Sequence, residues 1–218
     1  MSRSLVLHNY WRSSASWRVR IALHHKGLPF EYAPVHLLKD GGEQYAEAYR
    51  ALNPLAQVPA LEIREGDTTR VLTQSLAIIE WLEERYPEKP LLPGDAETRA
   101  TIRQYAELIN AGIQPLQNLI VLGYVGDTLQ GDKKAWAQHW IGRGLDALEV
   151  HAKRTAGTFL VGDAVSLADV CLVPQLNAAR RQSLDVQRWP TLLKVESACE
   201  ALEAFQKAHS DAQPDAQR

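Results

Sequence analysis

The sequence predicts a two-part chain, an α/β region over residues 1–86 followed by an all-helical region over residues 95–209. Three observations predict it. Strand-like and helix-like runs alternate through the first third of the chain. The stretch Pro87-Glu88-Lys89-Pro90-Leu91-Leu92-Pro93-Gly94 then packs three prolines and a glycine into a linker, residues 87–94. Beyond it every periodic segment has helical spacing.

The elements follow in order. Leu5-Val6-Leu7 reads as a buried strand, and a polar turn runs from Asn9 to Ser14. Val19, Ala22, Leu23 and Lys26 recur at helical spacing, with Gly27 as the stop. Phe30 to Val35 is the second strand, so the first 35 residues form a βαβ unit. A weaker helix is expected from Glu43 to Leu52. Val58 to Ile63 and Val71-Leu72 read as a hairpin turning over Arg64-Glu65-Gly66-Asp67, and Ser75 to Arg85 as a helix. The order is βαβαββα. In the second region one long helix is expected over 96–122, kinked by Pro115, which has no backbone N–H. Lys134 to Ala156 is a second helix, with Trp136, Trp140, Gly144, Leu148 and His151 near one face. Ser166 to Arg181 is a third, started by a capping box from Ser166 to Asp169, and Leu192 to His209 holds at least one more. Residues 210–218 are polar, without periodicity, and are expected to be a flexible tail.

Composition narrows the function classes. The chain has 218 residues, 45% apolar, with Lys plus Arg at 24 against Asp plus Glu at 26, a net charge of -2. That balance argues against a nucleic-acid binder. No apolar run approaches the ~18 to 20 residues of a membrane-spanning helix, and the N-terminus has no signal-peptide pattern. Two cysteines, Cys171 and Cys199, cannot form a disulfide framework and suit a reducing compartment, so a cytoplasmic protein is expected. The seven histidines have no metal-ligand spacing, so no metal site is expected. Neither a Gly-rich nucleotide loop nor a Gly-x-Ser-x-Gly elbow is present.

Three places carry the site signal. Arg12-Ser13-Ser14-Ala15-Ser16-Trp17-Arg18 puts three serines in four positions at the first helix start, flanked by arginines. One serine suffices for an N-cap, and capping alone is the simpler reading. The same helix start is also an anion site, where a hydroxyl could hold a thiolate. Val58-Pro59 is either a strand-opening proline or a cis peptide that offers the Val58 backbone to a peptide-like ligand. Gln74-Ser75 is either a cap or a carboxylate-binding helix start.

Taken together, these segments resemble the zeta class of glutathione transferases. The resemblance rests on Arg12 to Arg20, Asn53-Pro54 through Gln57-Val58-Pro59, Gln74 to Glu80, Gly112 to Asn118 and Leu172 to Gln175, and it runs to about Phe205. It implies a thioredoxin-like first domain, a helical second domain carrying part of the electrophile site, glutathione as cofactor and a homodimer. It implies that Ser14, with Ser13, stands beside the glutathione sulfur, within the binding motif that continues through Ala15, Ser16, Trp17 and Arg18. Gln44 and the main chain of Val58 would meet the tripeptide backbone, and Gln74 and Ser75 its γ-glutamyl end. Gln114, Asn118, Leu119 and Ile120 would line the site in the helical domain. The implied reaction is cis–trans isomerisation of a maleyl keto acid, with Arg12 and Arg181 binding carboxylates and Arg180 the competitor of Arg181. The usual Ser-Ser-Cys is here Ser13-Ser14-Ala15, which argues against thiol-dependent dehalogenation. The same isomerisation of a shorter substrate, maleylpyruvate, is the first alternative, followed by a transferase acting on α-halo acids and a non-catalytic glutathione-binding module.

Overall fold

The computed structural model describes residues 3–217. Met1, Ser2 and Arg218, which fall in the expected α/β region and tail, lie outside the described residues. Contacts divide the chain into two units, Met1–Pro90 with Glu203–Arg218, and Leu91–Leu202.

The first unit contains β1 (Arg3–Asn9), α1 (Ser14–Lys26), β2 (Glu31–Pro34), α2 (Glu47–Leu52), β3 (Ala60–Glu65), β4 (Thr68–Thr73) and α3 (Ser75–Arg85). The sheet order is β2-β1-β3-β4, with β1 and β2 parallel and the other pairs antiparallel. Helix α1 is the crossover that a parallel pair requires. The Leu5-Val6-Leu7 run is buried throughout, as expected of a central strand covered on both faces. Val19, Ile21, Ala22 and Leu23 of α1 and Ile78, Ile79 and Leu82 of α3 join it in the core. Gly27 ends α1 at φ 69°, its N–H returning to the last carbonyls.

The register places four loops at one end of the sheet. Asn9 at the end of β1 lies opposite Pro34 at the end of β2. His8 lies opposite Ala60 at the start of β3, and Ala60 opposite Thr73 at the end of β4. The segments after β1, after β2, before β3 and after β4 therefore share one edge.

The second unit holds α4 (Ala96–Gly112), α5 (Leu119–Gly123), α6 (Lys133–Thr155), α7 (Leu167–Arg181) and α8 (Pro190–Glu200). Ser166 and Asp169 form the expected capping box. The Asp169 carboxylate accepts from Ser166 N–H and O–H and from Leu160 N–H, each at 2.8 Å.

Three expectations need correction, and the reading of α6 is refined. The helix expected over 43–52 is broken: Ala46 is extended (ψ 145°), so a single turn at Glu43–Tyr45 precedes α2. The helix expected over 96–122 is not kinked but ended. Ile113 leaves helical geometry, Pro115 sits in a tight turn over Gln114–Gln117, and Asn118 restarts the chain as the cap of α5. On α6 the fully buried stripe is Ala137, Ile141, Leu145, Leu148 and Ala152. The indoles of Trp136 and Trp140 lie beside it, Trp136 donating to Leu116 O at 2.9 Å, because a wide ring with an N–H fits a rim better than a close helix contact. Finally, residues 203–217 belong to the first unit. Helix α9 (Glu203–Ala208) packs on α1 through Phe205 and Ala208, and the residues expected as a flexible tail are hydrogen-bonded. Gln213 Nε2 donates to Lys207 O and His209 O, and the Asp215 carboxylate accepts from Trp11 N–H and Tyr32 O–H. Polar composition hid these bonds because their partners lie far away in sequence.

Candidate functional site

The chain leaves β1 at the buried Asn9 and turns, Ser13 N–H returning to Tyr10 O at 3.0 Å. Ser13 caps α1: its backbone is extended and its Oγ accepts from Ser16 N–H at 3.2 Å. Its oxygen is thus occupied by the helix. Ser14 is the first helical residue and 8% exposed, so its hydroxyl stands at the positive end of the α1 dipole without being the cap. No acidic side chain lies in the first turn. Arg12 lies over the Trp11 ring at 5.7 Å and makes no ion pair among the described residues. Ala15 is partly exposed, whereas Ser16, Trp17 and Arg18 are buried. Trp17 packs edge-on against His209, with centroids 4.8 Å apart. Arg18 donates to Ser75 Oγ at 3.4 Å, tying the start of α3 to α1.

The other loops at this sheet end bring further polar groups. Val58-Pro59 is a cis peptide. The loop before it is fixed at Gln57 O, which accepts from Tyr49 O–H and Asn53 Nδ2, both at 2.7 Å. Burial pushes the Tyr49 hydroxyl above its ordinary range, so it stays a donor. The N–H and C=O of partly exposed Val58 have no partner among the described residues. An unpaired peptide edge is what a peptide ligand pairs with. Gln44 donates to Leu37 O at 3.3 Å, but its buried Oε1 has no partner. Ser75 opens α3 at 5% exposure, next to exposed Gln74, whose backbone is at φ 69° and ψ 114°. A glutamine held at positive φ stores roughly 1–3 kcal/mol of strain, which concentrates at functional sites.

In the second unit Gln114 opens the turn after α4, and Asn118 Oδ1 accepts from Ile120 N–H at 3.1 Å, leaving the side-chain amide N–H groups as donors. Leu119 and Ile120 are about half exposed. The two candidate arginines separate clearly. Arg180 forms a two-pronged ion pair with Glu196, which raises its pKa, whereas exposed Arg181 donates to Asn177 Oδ1 at 2.6 Å. Among the described residues, no three His, Cys, Asp or Glu side chains are placed to hold a metal ion.

Sequence reasoning missed Arg20 and Asp215. Arg20 is fully buried on α1, and burial pulls its pKa down to about 10. A buried arginine is legible from the pattern, since it interrupts the apolar run Val19–Leu23; its partners are not. Gln175, a residue of the Leu172–Gln175 motif, is wholly buried, its Oε1 accepting from Gln117 Nε2 at 2.9 Å.

Residues 12–85 match the family described as Glutathione S-transferase, N-terminal domain, and residues 120–205 its C-terminal domain. A maleylacetoacetate isomerase of Rattus norvegicus is 51% identical over 210 residues, 96% of this chain and 94% of its own. A maleylpyruvate isomerase of Ralstonia sp is 44% identical, covering 97% of this chain and 99% of its own. A maleylacetoacetate isomerase from Anaeromyxobacter dehalogenans 2CP-1, crystallised with glutathione in its active site, superimposes with a TM-score of 0.91 at 51% identity over 99% of both chains. The same protein has also been crystallised with dicarboxyethyl glutathione and citrate in the active site.

Proposed function

This chain belongs to the zeta class of the glutathione S-transferase family, and from that premise we propose that it is a glutathione-dependent isomerase converting maleylacetoacetate to fumarylacetoacetate. The observation that carries the reading is one sheet end bearing both a hydroxyl-rich helix start without acidic residues and an unpaired Val58 peptide edge. Those groups fit glutathione, a tripeptide with a thiol. The peptide edge suits its backbone, and the orphaned Gln44 Oε1 suits one of its N–H donors.

Glutathione, when bound, supplies a thiolate that reversibly saturates the cis double bond, so that the carbon–carbon bond can turn as a single bond. The chain's own residues make that chemistry possible at neutral pH. Ser14 donates a hydrogen bond to the sulfur, and the α1 dipole stabilises its negative charge. Val58 holds the peptide through its main chain, while Ser75 and Gln74 bind the γ-glutamyl carboxylate at the start of α3. Arg12 and Arg181 bind the carboxylates of the substrate and the negative charge that builds on its carbonyl oxygen. Gln114, Asn118, Leu119 and Ile120 line the electrophile side. Arg180, engaged by Glu196, takes no part. Because Ala15 replaces the usual cysteine, the reaction uses no protein thiol.

The chain acts as a cytoplasmic homodimer. The exposed apolar side chains Leu38, Tyr45 and Leu55 support a partner face, and two buried free thiols suit a reducing compartment. The 44% identity to the Ralstonia enzyme favours a second substrate reading, maleylpyruvate. Comparing kcat/KM for the two acids decides between them: a higher value for maleylacetoacetate supports the proposal, and a higher value for maleylpyruvate replaces it.

A further inference from the structure

The turn that delivers Ser13 and Ser14 is gripped from both sides by groups outside it. Arg20 donates to Asn9 Oδ1 (2.9 Å), Tyr10 O (3.3 Å) and Trp11 O (2.9 Å), and its Nε donates to Ala208 O (3.1 Å). One guanidinium therefore joins two successive carbonyls of the turn to the end of α9. On the opposite side of the same residue, Trp11 N–H donates to Asp215 Oδ2 at 3.1 Å, and Asp215 Oδ1 accepts from Tyr32 O–H of β2. Both peptide groups flanking Trp11 are thus held by the buried cation through their carbonyls, and the first of them also by a carboxylate from the last residues of the chain, through its N–H. The same C-terminal segment reaches a second loop of the site. Gln217 Nε2 lies 3.0 Å from His36 Nε2, and His36 Nδ1 accepts from Leu38 N–H (3.2 Å) and Lys39 N–H (2.9 Å), next to the Leu37 carbonyl that orients Gln44.

We propose that Asp215 and Arg20 are positioning residues for the thiolate site, the C-terminal segment 209–217 acting as a strap that sets the Tyr10–Ser13 turn and so the placement of Ser14. The proposal rests on the functional reading above. A carboxylate aimed at a single backbone N–H three residues before Ser14 controls the direction in which the turn enters the helix.

The test uses the full-length chain and three variants. The thiolate of bound glutathione is followed by its 240 nm absorbance against pH, together with KM for glutathione, kcat and Tm. In D215A the bound thiol is expected to titrate about one pH unit higher, which lowers the thiolate fraction about tenfold at pH values below its wild-type pKa, with KM for glutathione raised. D215N keeps an acceptor for Trp11 N–H and is expected to recover most of the loss. Y32F, which frees one Asp215 oxygen without touching the turn, is expected to shift the thiol in the same direction by less, and it decides the matter if D215A does not fold. A lowered Tm with an unshifted thiol and unchanged KM in both D215A and Y32F overturns the proposal. A wild-type chain with no thiolate band contradicts the functional reading instead.

Discussion

Replacing Ser14 by alanine removes one hydroxyl from the start of α1 while leaving the helix cap in place. The cap belongs to Ser13, whose Oγ receives Ser16 N–H at 3.2 Å, and Ser14 follows it as the first helical residue at 8% exposure. A hydrogen bond to a charged group contributes roughly 1.5–3 kcal/mol. Losing it corresponds to a bound thiol titrating about 1–2 pH units higher and to roughly a 10- to 150-fold fall in kcat/KM at neutral pH. The helix dipole, worth about 0.3–1 kcal/mol, remains and sets the residual rate. Ser13→Ala makes the control. It removes about 1 kcal/mol of capping energy and lowers Tm by roughly 2–4 °C, with a smaller effect on the thiol. The assay pairs pH titration of bound glutathione at 240 nm with steady-state isomerisation for both variants. A Ser14→Ala enzyme with wild-type thiol titration, or a Ser13→Ala enzyme carrying the larger catalytic loss, refutes the assignment of the two hydroxyls.

Three further outcomes are expected. Arg181→Ala should raise KM for the dicarboxylate substrate roughly tenfold with little change in KM for glutathione, measured by steady-state kinetics; Arg180→Ala should instead lower Tm, because it strips the buried Glu196 of its guanidinium. Burial raises the Asp169 pKa to about 6 from an ordinary value of 3.8. Below pH 3.8 both folded and unfolded states are protonated; between pH 4 and 6 the folded state keeps the proton that the unfolded state loses, so stability falls as pH rises by about 3 kcal/mol in total. Asp169→Asn should flatten that slope in Tm against pH, and an unchanged slope removes Asp169 as its source. Pretreating the native protein with iodoacetamide and removing the reagent should leave isomerase activity intact, since Cys171 and Cys199 are buried and burial pushes the Cys199 thiol far up.

The first unit was largely legible because its signals are local. The apolar Leu5-Val6-Leu7 run, the Gly27 stop and the Gly66-Asp67 turn each report their own backbone, and together they give the order βαβαββα. The serines of the first helix start were equally visible, but which one caps is decided by the extended backbone of Ser13, a conformation that composition does not specify. The positive φ of Gln74 left no trace in the sequence, since glutamine carries no turn signal, and the Val58-Pro59 bond could only be narrowed to two alternatives. The Pro115 region showed the limit of helical periodicity: apolar spacing continues across the break, while the missing N–H and the Asn118 cap divide the chain into α4, a turn and α5. Least legible was the C-terminal segment. Asp215 meets Trp11 and Tyr32 across 204 and 183 residues, and Arg20 meets Ala208 across 188, distances at which no local pattern informs.

The central claim is most directly tested by following maleylacetoacetate with the purified chain, with and without glutathione. Conversion to fumarylacetoacetate that requires glutathione, and that falls in Ser14→Ala as the thiol pKa rises, is the result expected. Glutathione binding without any conversion, or conversion at the same rate without glutathione, contradicts it.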